Sequence, residues 1–434
     1  MIPAGRLGTA AHLAVGLGVL GAAGYAFVAV VGHVFHDPAD AGALNALISL
    51  YMLVNIIGPG VFAALEQETS RAVSAAAAHG EPLRPVARRA GVLALWSFAA
   101  LVAVVLVAWP LVLGRVLEWR PGLLGALLVA IAGSGAVYWA RGLLGGQQRF
   151  TTYARTLYVE GAVRLLPCLV LLALALEVPS GYGFAFAAGS AVAALSVLPA
   201  LRRSDLGLPA ADGSTPPAGM GRSLLYLAGA IALSQLLANL APVVVTYRSP
   251  DDLVAAAVFG TTFVLARIPL FLFAPVQAVL LPQVTRAAAM GRHDELKRRL
   301  RQVLALVAGM GALGVAGCVW LGPWAAERLF NTAYRPSVDT LALLGVATLV
   351  MMLALVVQPT LVALARQRTV TIGWIAGSVV FLVVLVMGPE PIAAALLAQL
   401  VGPLVVLVVL LVGVLRALRV PPAGVGASPA TGRR

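Results

Sequence analysis

Long apolar runs alternate with short polar or basic segments along the whole chain. About twelve of these runs are long enough to cross a bilayer, which takes about 20 apolar residues in a helix. They are too long and too evenly apolar for barrel strands, and a membrane helix pairs its own backbone groups. The pattern therefore predicts an all-α integral membrane protein. The predicted spans are 7–32, 41–65, 90–114, 121–140, 156–176, 178–201, 223–247, 253–281, 302–326, 340–365, 369–389 and 391–415.

The longest polar interruption lies midway along the chain, at residues 202–222. It is rich in Pro, Gly and small polar residues, a composition typical of a flexible connection. It divides the protein into an N-terminal six-helix bundle (1–201), a cytoplasmic linker (202–222) and a C-terminal six-helix bundle (223–418). The remaining residues, 419–434, are predicted to form a disordered cytoplasmic tail.

The second span of each half ends in the same residue skeleton. Pro, Leu, Gln and Thr recur at identical spacings, as Pro59, Leu65, Gln67 and Thr69 and as Pro275, Leu281, Gln283 and Thr285. An even number of spans precedes the second copy, so both halves enter the membrane in the same sense. We therefore expect two bundles related by a parallel pseudo-twofold axis along the membrane normal.

Pro59 and Pro275 each remove one backbone hydrogen bond from an apolar helix. Such a proline produces either a static bend that shapes the packing or a hinge close to a gate. The sequence favours neither interpretation, and both remain open.

Composition excludes a water-soluble protein, because the chain is 61% hydrophobic and only 11% charged. Most of its basic residues fall on the N-terminal segment and on the loops that follow even-numbered spans, which predicts that both termini are cytoplasmic. The net charge of +13 then faces an anionic lipid leaflet rather than nucleic acid. Lys297 is the only lysine, and this preference for arginine is typical of a GC-rich bacterium. We expect a multi-pass protein of the bacterial cytoplasmic membrane.

Motifs of soluble enzymes are absent from the sequence. It has no P-loop, no Gly-rich nucleotide-binding turn, no zinc-ligand spacing and no carboxylate pair placed for acid-base catalysis. Cys168 and Cys318 lie within apolar runs, as small buried hydrophobic residues do. The sequence predicts neither an enzyme nor a cofactor or metal site.

Three charged residues fall inside predicted spans, where each costs roughly 2.5 to 3.5 kcal/mol on insertion scales. Glu160 and Arg164 are four residues apart on one helix face, so they can form an ion pair. Arg267 is near the middle of the eighth span, too deep to reach either surface, and we expect it to face a cavity. A guanidinium there can bind two phosphate oxygens, with Arg164 as a second contact. The alternative for each arginine is a partner across the helix bundle.

Two further groups of polar residues are candidates. Asn55, Gln235 and Asn239 lie within spans and either bind sugar from a cavity wall or join neighbouring helices. Glu66, Arg71 and Arg286 lie at the cytoplasmic ends of the second and eighth spans. They either form gate salt bridges or mark the membrane interface.

The stretch LLPQVTRAAAMGRHDELKRRL at 280–300, its first-half counterpart around Pro59, and the segment at 137–166 resemble polysaccharide flippases. This family is a branch of the multidrug, oligosaccharidyl-lipid and polysaccharide exporter superfamily. The resemblance implies a MATE-like fold, with two six-helix bundles around a cavity that opens alternately to each side. It implies transport of polyprenyl-pyrophosphate-linked oligosaccharide for surface polysaccharide synthesis, with membrane lipid, a polysaccharide polymerase or glycosyltransferases as further partners.

Three alternative functions remain. A cation-coupled multidrug antiporter shares the fold, but such proteins often place a carboxylate on the first helix, and no Asp or Glu precedes Asp37 here. A lipid II flippase is the second alternative. The third is a non-transporting membrane protein of envelope synthesis, although the chain lacks the large extracytoplasmic loop or Asp-rich motif usual in polymerases and transferases.

Overall fold

The computed structural model describes residues 4–203, 221–270, 293–364 and 366–419. Regular structure in these ranges is helical, and 12 segments are long and apolar enough to cross a membrane, which confirms the predicted fold class. The helices are α1 (Ala4–Val34), α2 (Ala41–Ile57), α3 (Ala63–Ala78), α4 (Arg84–Ala108), α5 (Gly114–Val116), α6 (Pro121–Gly146), α7 (Phe150–Ala173), α8 (Pro179–Arg203), α9 (Gly221–Arg248), α10 (Leu253–Leu265), α11 (His293–Trp320), α12 (Gly322–Leu329), α13 (Val338–Ala363), α14 (Gln367–Met387) and α15 (Pro391–Arg419).

The second span is longer than its apolar run predicts. A π-helical turn, Gly58–Phe62, contains Pro59 and joins α2 to α3, which continues to Ala78. Hydropathy locates the lipid boundary, but backbone bonding continues through the alanine-rich segment beyond it because alanine and glutamate are strong helix formers. The predicted span boundary at residue 65 is therefore wrong as a helix boundary.

The eighth span, in contrast, is interrupted where the sequence predicts a continuous helix. Helix α10 ends at Leu265, and Ala266 and Arg267 form a turn. Pro269 has no backbone N–H to donate to the carbonyl of Leu265, which explains the interruption. The hydroxyl of Thr348 on α13 donates to the carbonyl of Ala266 at 3.1 Å. Arg267 is thus on a turn between helical segments rather than within one.

Helix packing repeats between the two halves. In the first half α1 packs against α7, α6 against α8, and α7 against α8. In the second half the helices at equivalent positions make the same pairs, namely α9 with α14, α13 with α15, and α14 with α15. This repetition agrees with the parallel duplication predicted from the skeleton around Pro59. The predicted 202–222 linker and 419–434 tail lie almost entirely outside the described residues.

The halves meet tightly at one end of the molecule. We call this the far end, because it is opposite the basic end at which α3, α6 and α8 finish. There the amide of Asn45 on α2 donates to the carbonyl of Leu253 at 2.6 Å, and its oxygen accepts from Thr246 on α9 at 3.2 Å. Asn45 is 1% exposed, so these bonds between the halves are shielded from solvent. These contacts close the far end, and a cavity remains between the halves on the side nearer the basic end.

Candidate functional site

A cavity of about 460 Å³ lies between the two halves. Helices α1, α2, α6 and α7 line it from the first half, and α9, α10 and α13 line it from the second, together with the turn after α10. The residues with polar side chains in its wall are Tyr25, Tyr51, Asn55, Ser134, Tyr138, Arg141, Glu160, Arg164, Ser234, Gln235, Asn239 and Arg267. Both halves therefore contribute polar groups to one shared space.

Glu160 is at the centre of a buried charge cluster in the first half. Its carboxylate accepts hydrogen bonds from Arg141 at 2.5 Å, from Arg164 at 2.5 Å and from the hydroxyl of Ser190 at 2.6 Å. The predicted pairing of Glu160 with Arg164 is confirmed. Removing charges from water is tolerated only when they are closely paired, and here one carboxylate serves two guanidinium groups. The cluster consequently carries an excess positive charge at the cavity wall.

Arg141 was missed by the sequence analysis, which placed it on a cytoplasmic loop after a span ending at residue 140. Helix α6 instead continues to Gly146, and Arg141 is 3% exposed, with Nε donating to Thr156 at 2.8 Å. Glycines make this extension possible by letting α3 approach closely. A Cβ on Gly142 would stand 2.7 Å from the Cβ of Thr69. The helix end is thus covered by protein, and Arg141 points inward rather than into solvent.

Arg164 faces the cavity beside the ring of Phe186, with its guanidinium carbon 4.6 Å from the ring centroid. Its Nη2 also reaches the hydroxyl of Ser190 at 3.2 Å. Its Nε is buried and has no hydrogen-bond partner among the described residues. One N–H of Arg164 therefore has no acceptor among the described residues.

Arg267 reaches the same cavity from the second half. Its Nη2 donates to Gln399 on α15 at 2.6 Å, and its guanidinium carbon lies 4.7 Å from the ring centroid of Phe263. Its Nη1 is buried without a hydrogen-bond partner in the part of the chain that the structure describes. The expectation that Arg267 faces a cavity is met, whereas contact with a substrate remains a prediction.

The uncharged candidates also line the cavity. Asn55 donates to the carbonyl of Tyr51 at 2.8 Å, and Asn239 donates to the carbonyl of Gln235 at 3.0 Å and to its side chain at 3.3 Å. Each of these bonds stays within one helix. Pro59 borders the same space from its π-helical turn.

The predicted gate residues make contacts within the first half. Glu66 accepts from the hydroxyl of Tyr153 on α7 at 2.5 Å, and Arg71 pairs with Glu68 on its own helix at 2.8 Å. Pro275 and Arg286 lie outside the described residues. The gate and hinge roles of these residues remain predictions.

A metal site would need several ligating side chains close together. Within the described ranges, no three His, Cys, Asp or Glu side chains come together in such a group. Apart from the carboxylate of Glu160, the charged groups that converge on the cavity in the described ranges are guanidinium groups, which bind anions rather than cations.

Comparison with known proteins gives relatives of low identity. No protein-family model matches the chain. An uncharacterized protein of Mycobacterium tuberculosis is 27% identical over 369 residues, covering 81% of this chain and 80% of the relative. A second uncharacterized protein of the same species is 29% identical over 292 residues, covering 65% of this chain and 63% of the relative.

Solved structures of other proteins match the fold of this chain. An inward-facing multidrug resistance MATE family transporter of the MOP superfamily matches 91% of this chain and 93% of its own, with a TM-score of 0.66 and 13% identity. An outward-facing multidrug resistance MATE family transporter matches 95% of this chain and 96% of its own, with a TM-score of 0.64 and 13% identity. The protein therefore has the fold of MATE transporters, with twelve candidate membrane spans.

Proposed function

We propose that this protein is a transporter that moves polyprenyl-pyrophosphate-linked oligosaccharide across the bacterial cytoplasmic membrane by alternating access, for surface polysaccharide synthesis. One observation carries the proposal. The cavity between the halves is lined by Arg141, Arg164 and Arg267, against Glu160 as its one lining carboxylate among the described residues. Such a wall attracts a polyanionic head group.

Two unpaired arginine donors add support for a phosphate ligand. Arg164 Nε in the first half and Arg267 Nη1 in the second are buried N–H groups without partners among the described residues. A buried donor left unpaired is costly, and a pyrophosphate offers several charged oxygens to satisfy it. A substrate that accepts from both arginines would join the halves, so its binding would favour a conformation in which the halves stay close.

The remaining wall suits the glycan. Asn55, Gln235, Asn239 and the tyrosines of the cavity supply amide and hydroxyl groups for sugar hydroxyls. The polyprenyl chain would remain in lipid while the head crosses. Because contacts of α2 with α9 and α10 close the far end, we infer that the head reaches the cavity from the basic end, which arginine placement predicts to be cytoplasmic.

A cation-coupled multidrug antiporter is the second candidate, because the solved structures that share the fold include multidrug resistance transporters. Two features of the cavity disfavour it here. A cationic drug would meet an excess of guanidinium groups, and Glu160 is already bonded to two arginines and a serine. A lipid II flippase would share the pyrophosphate chemistry and differ in the glycan. A non-transporting role in envelope synthesis would not account for the charged cavity between the halves.

Transport in proteoliposomes tests the proposal. The purified protein would be reconstituted with fluorescent undecaprenyl-pyrophosphate disaccharide, and dithionite quenching would report the fraction in the outer leaflet. We expect flipping by the wild type, loss of flipping in Arg267→Ala, and wild-type rates in the control Arg155→Ala, an exposed arginine on α7. Absence of wild-type flipping, together with ion-driven uptake of a cationic dye such as ethidium, would replace this function with the multidrug one.

A further inference from the structure

Gln399 is a polar side chain in the core of the second half, 132 residues along the chain from Arg267. It lies on α15, is 0% exposed, and bonds to Arg267, which lines the cavity. The sequence analysis did not select it. A fully buried amide in such a span needs partners for both its oxygen and its nitrogen.

The chemistry of its two partners fixes how the amide is turned. Arg267 can only donate, so it must bind the oxygen of Gln399, at 2.6 Å from Nη2. The carbonyl of Leu237 can only accept, so it must bind the nitrogen, at 3.0 Å from Nε2. Turning the amide over would place donor against donor and acceptor against acceptor. Gln399 is thereby held in one orientation between α9 and the turn that carries Arg267.

This arrangement divides the guanidinium of Arg267 into two parts. Nη2 is occupied by Gln399, and Nη1 is buried and free of partners among the described residues. Phe263 covers the guanidinium with its ring, which restricts rotation further. A guanidinium held at one nitrogen presents the other in a fixed direction, so less freedom is lost when an anion binds.

We propose that Gln399 is a positioning residue that holds the guanidinium of Arg267 in place at the cavity wall, where it can meet an anionic oxygen. The inference rests on the proposed function, since it assigns Arg267 the role of contacting the head group, and it adds a residue on α15 to that site. Because Gln399 bonds to α9 as well, the position of Arg267 depends on the contact between α9 and α15. Movement of α15 relative to α9 would therefore redirect Arg267.

Three variants test whether Gln399 positions Arg267 or only stabilises the protein. Gln399→Leu removes both hydrogen bonds and should weaken binding of undecaprenyl pyrophosphate to the detergent-solubilised protein by about tenfold. The same change in an Arg267→Ala background should have no further effect, because a positioning residue acts only through the residue that it positions. Gln399→Glu keeps an acceptor for Arg267, although it loses the donor to Leu237, and its negative charge offsets that of the arginine. It should therefore hold the arginine and still lose affinity.

The matched control is Gln358→Leu. Gln358 is also a glutamine of the second half with a single side-chain partner described, the indole N–H of Trp374 at 2.8 Å, and it does not line the cavity. We expect Gln358→Leu to lower thermal stability without changing the affinity for undecaprenyl pyrophosphate. Equal loss of affinity in Gln358→Leu and Gln399→Leu would reduce Gln399 to a packing residue and overturn the proposal.

A second measurement does not depend on the substrate. Phenylglyoxal modifies accessible arginines, and peptide mass analysis reports the rate at Arg267. Gln399→Leu should raise that rate several-fold, while Gln399→Glu and Gln358→Leu should leave it near the wild-type value. If the wild type binds no undecaprenyl pyrophosphate but this pattern of rates holds, the proposed function fails and the positioning of Arg267 stands. Unchanged rates in Gln399→Leu overturn the positioning whatever the substrate.

Discussion

Arg141 on α6 donates to Glu160 on α7 at 2.5 Å, and both side chains are almost completely buried. The same carboxylate accepts from Arg164 one helical turn away. This contact joins α6 to α7. Because one carboxylate offsets only one of the two guanidinium charges, the cluster also leaves positive charge at the cavity.

Removing the carboxylate of Glu160 should greatly lower the stability of the protein. Glu160→Ala leaves two buried guanidinium groups without their shared partner, and we expect it to lower the free energy of unfolding by about 3 to 5 kcal/mol. Denaturant unfolding in detergent micelles measures the change. Glu81→Ala, at an exposed glutamate, is the control and should change the value little. Equal stability of the two variants would mean that the cluster does not hold α6 and α7 together.

Gly189 provides the space in which Arg164 lies. A Cβ added at this position of α8 would stand 2.5 Å from Cγ of Arg164 and 2.9 Å from the carbonyl oxygen of Glu160. Gly189→Ala should therefore push α8 from α7, lower the free energy of unfolding by about 1 to 3 kcal/mol, and impair transport.

Its control is Gly309→Ala on α11, where an added Cβ meets no atom within 4 Å. This replacement should leave transport unchanged and stabilise the helix by up to about 1 kcal/mol, because alanine is the better helix former. Fluorescence-detected thermal unfolding and the flipping assay measure both effects. A stable, active Gly189→Ala protein would contradict the close packing of α7 and α8.

We expect the hydrogen bonds of Asn45 to keep the far end of the molecule closed. Asn45→Ala removes the bonds to Leu253 and Thr246 between the halves, each worth about 0.5 to 1.5 kcal/mol, and should increase the fraction of molecules open there. Spin labels at His36→Cys and Asp251→Cys, both exposed, would report longer distances by pulsed EPR after Cys168 and Cys318 are replaced. Ser196→Ala, which loses a bond within α8, should leave the distances as they are.

Replacing Pro59 tests whether its π-helical turn acts as a hinge or as a static bend. Pro59→Ala restores a backbone donor within the turn Gly58–Phe62, which should stiffen the helix and slow single-turnover flipping if the turn moves during transport. Rates equal to wild type, with the protein present in normal amounts, would favour the static bend. Pro359→Ala on α13 tests whether any intramembrane proline has this effect.

Much of the architecture follows from local properties of the chain. Apolar runs of membrane length, basic loops and a repeated skeleton predicted a helical membrane protein with about twelve spans. Glu160 and Arg164 could be paired from their spacing alone, because residues four apart share a helix face. Arg267 could be assigned to a cavity because a charge in mid-membrane needs a polar environment.

Other features depend on contacts between distant segments, and no local pattern reports them. Arg141 looked like a loop residue because hydropathy ends at residue 140, yet glycines of α6 let α3 cover the helix beyond that point. The interruption before Arg267 follows from Pro269, but its stabilisation by Thr348 on α13 does not.

The amino-acid sequence by itself determined that the chain is helical, membrane-embedded and built from two similar halves, because these properties arise from length, apolarity and repetition. Only the tertiary structure decided which guanidinium groups share a carboxylate, which N–H groups remain free, and which neutral side chain holds Arg267. Those properties depend on atoms brought within hydrogen-bond distance by packing of helices that are remote in the chain, such as Gln399 on α15 and Arg267, 132 residues apart.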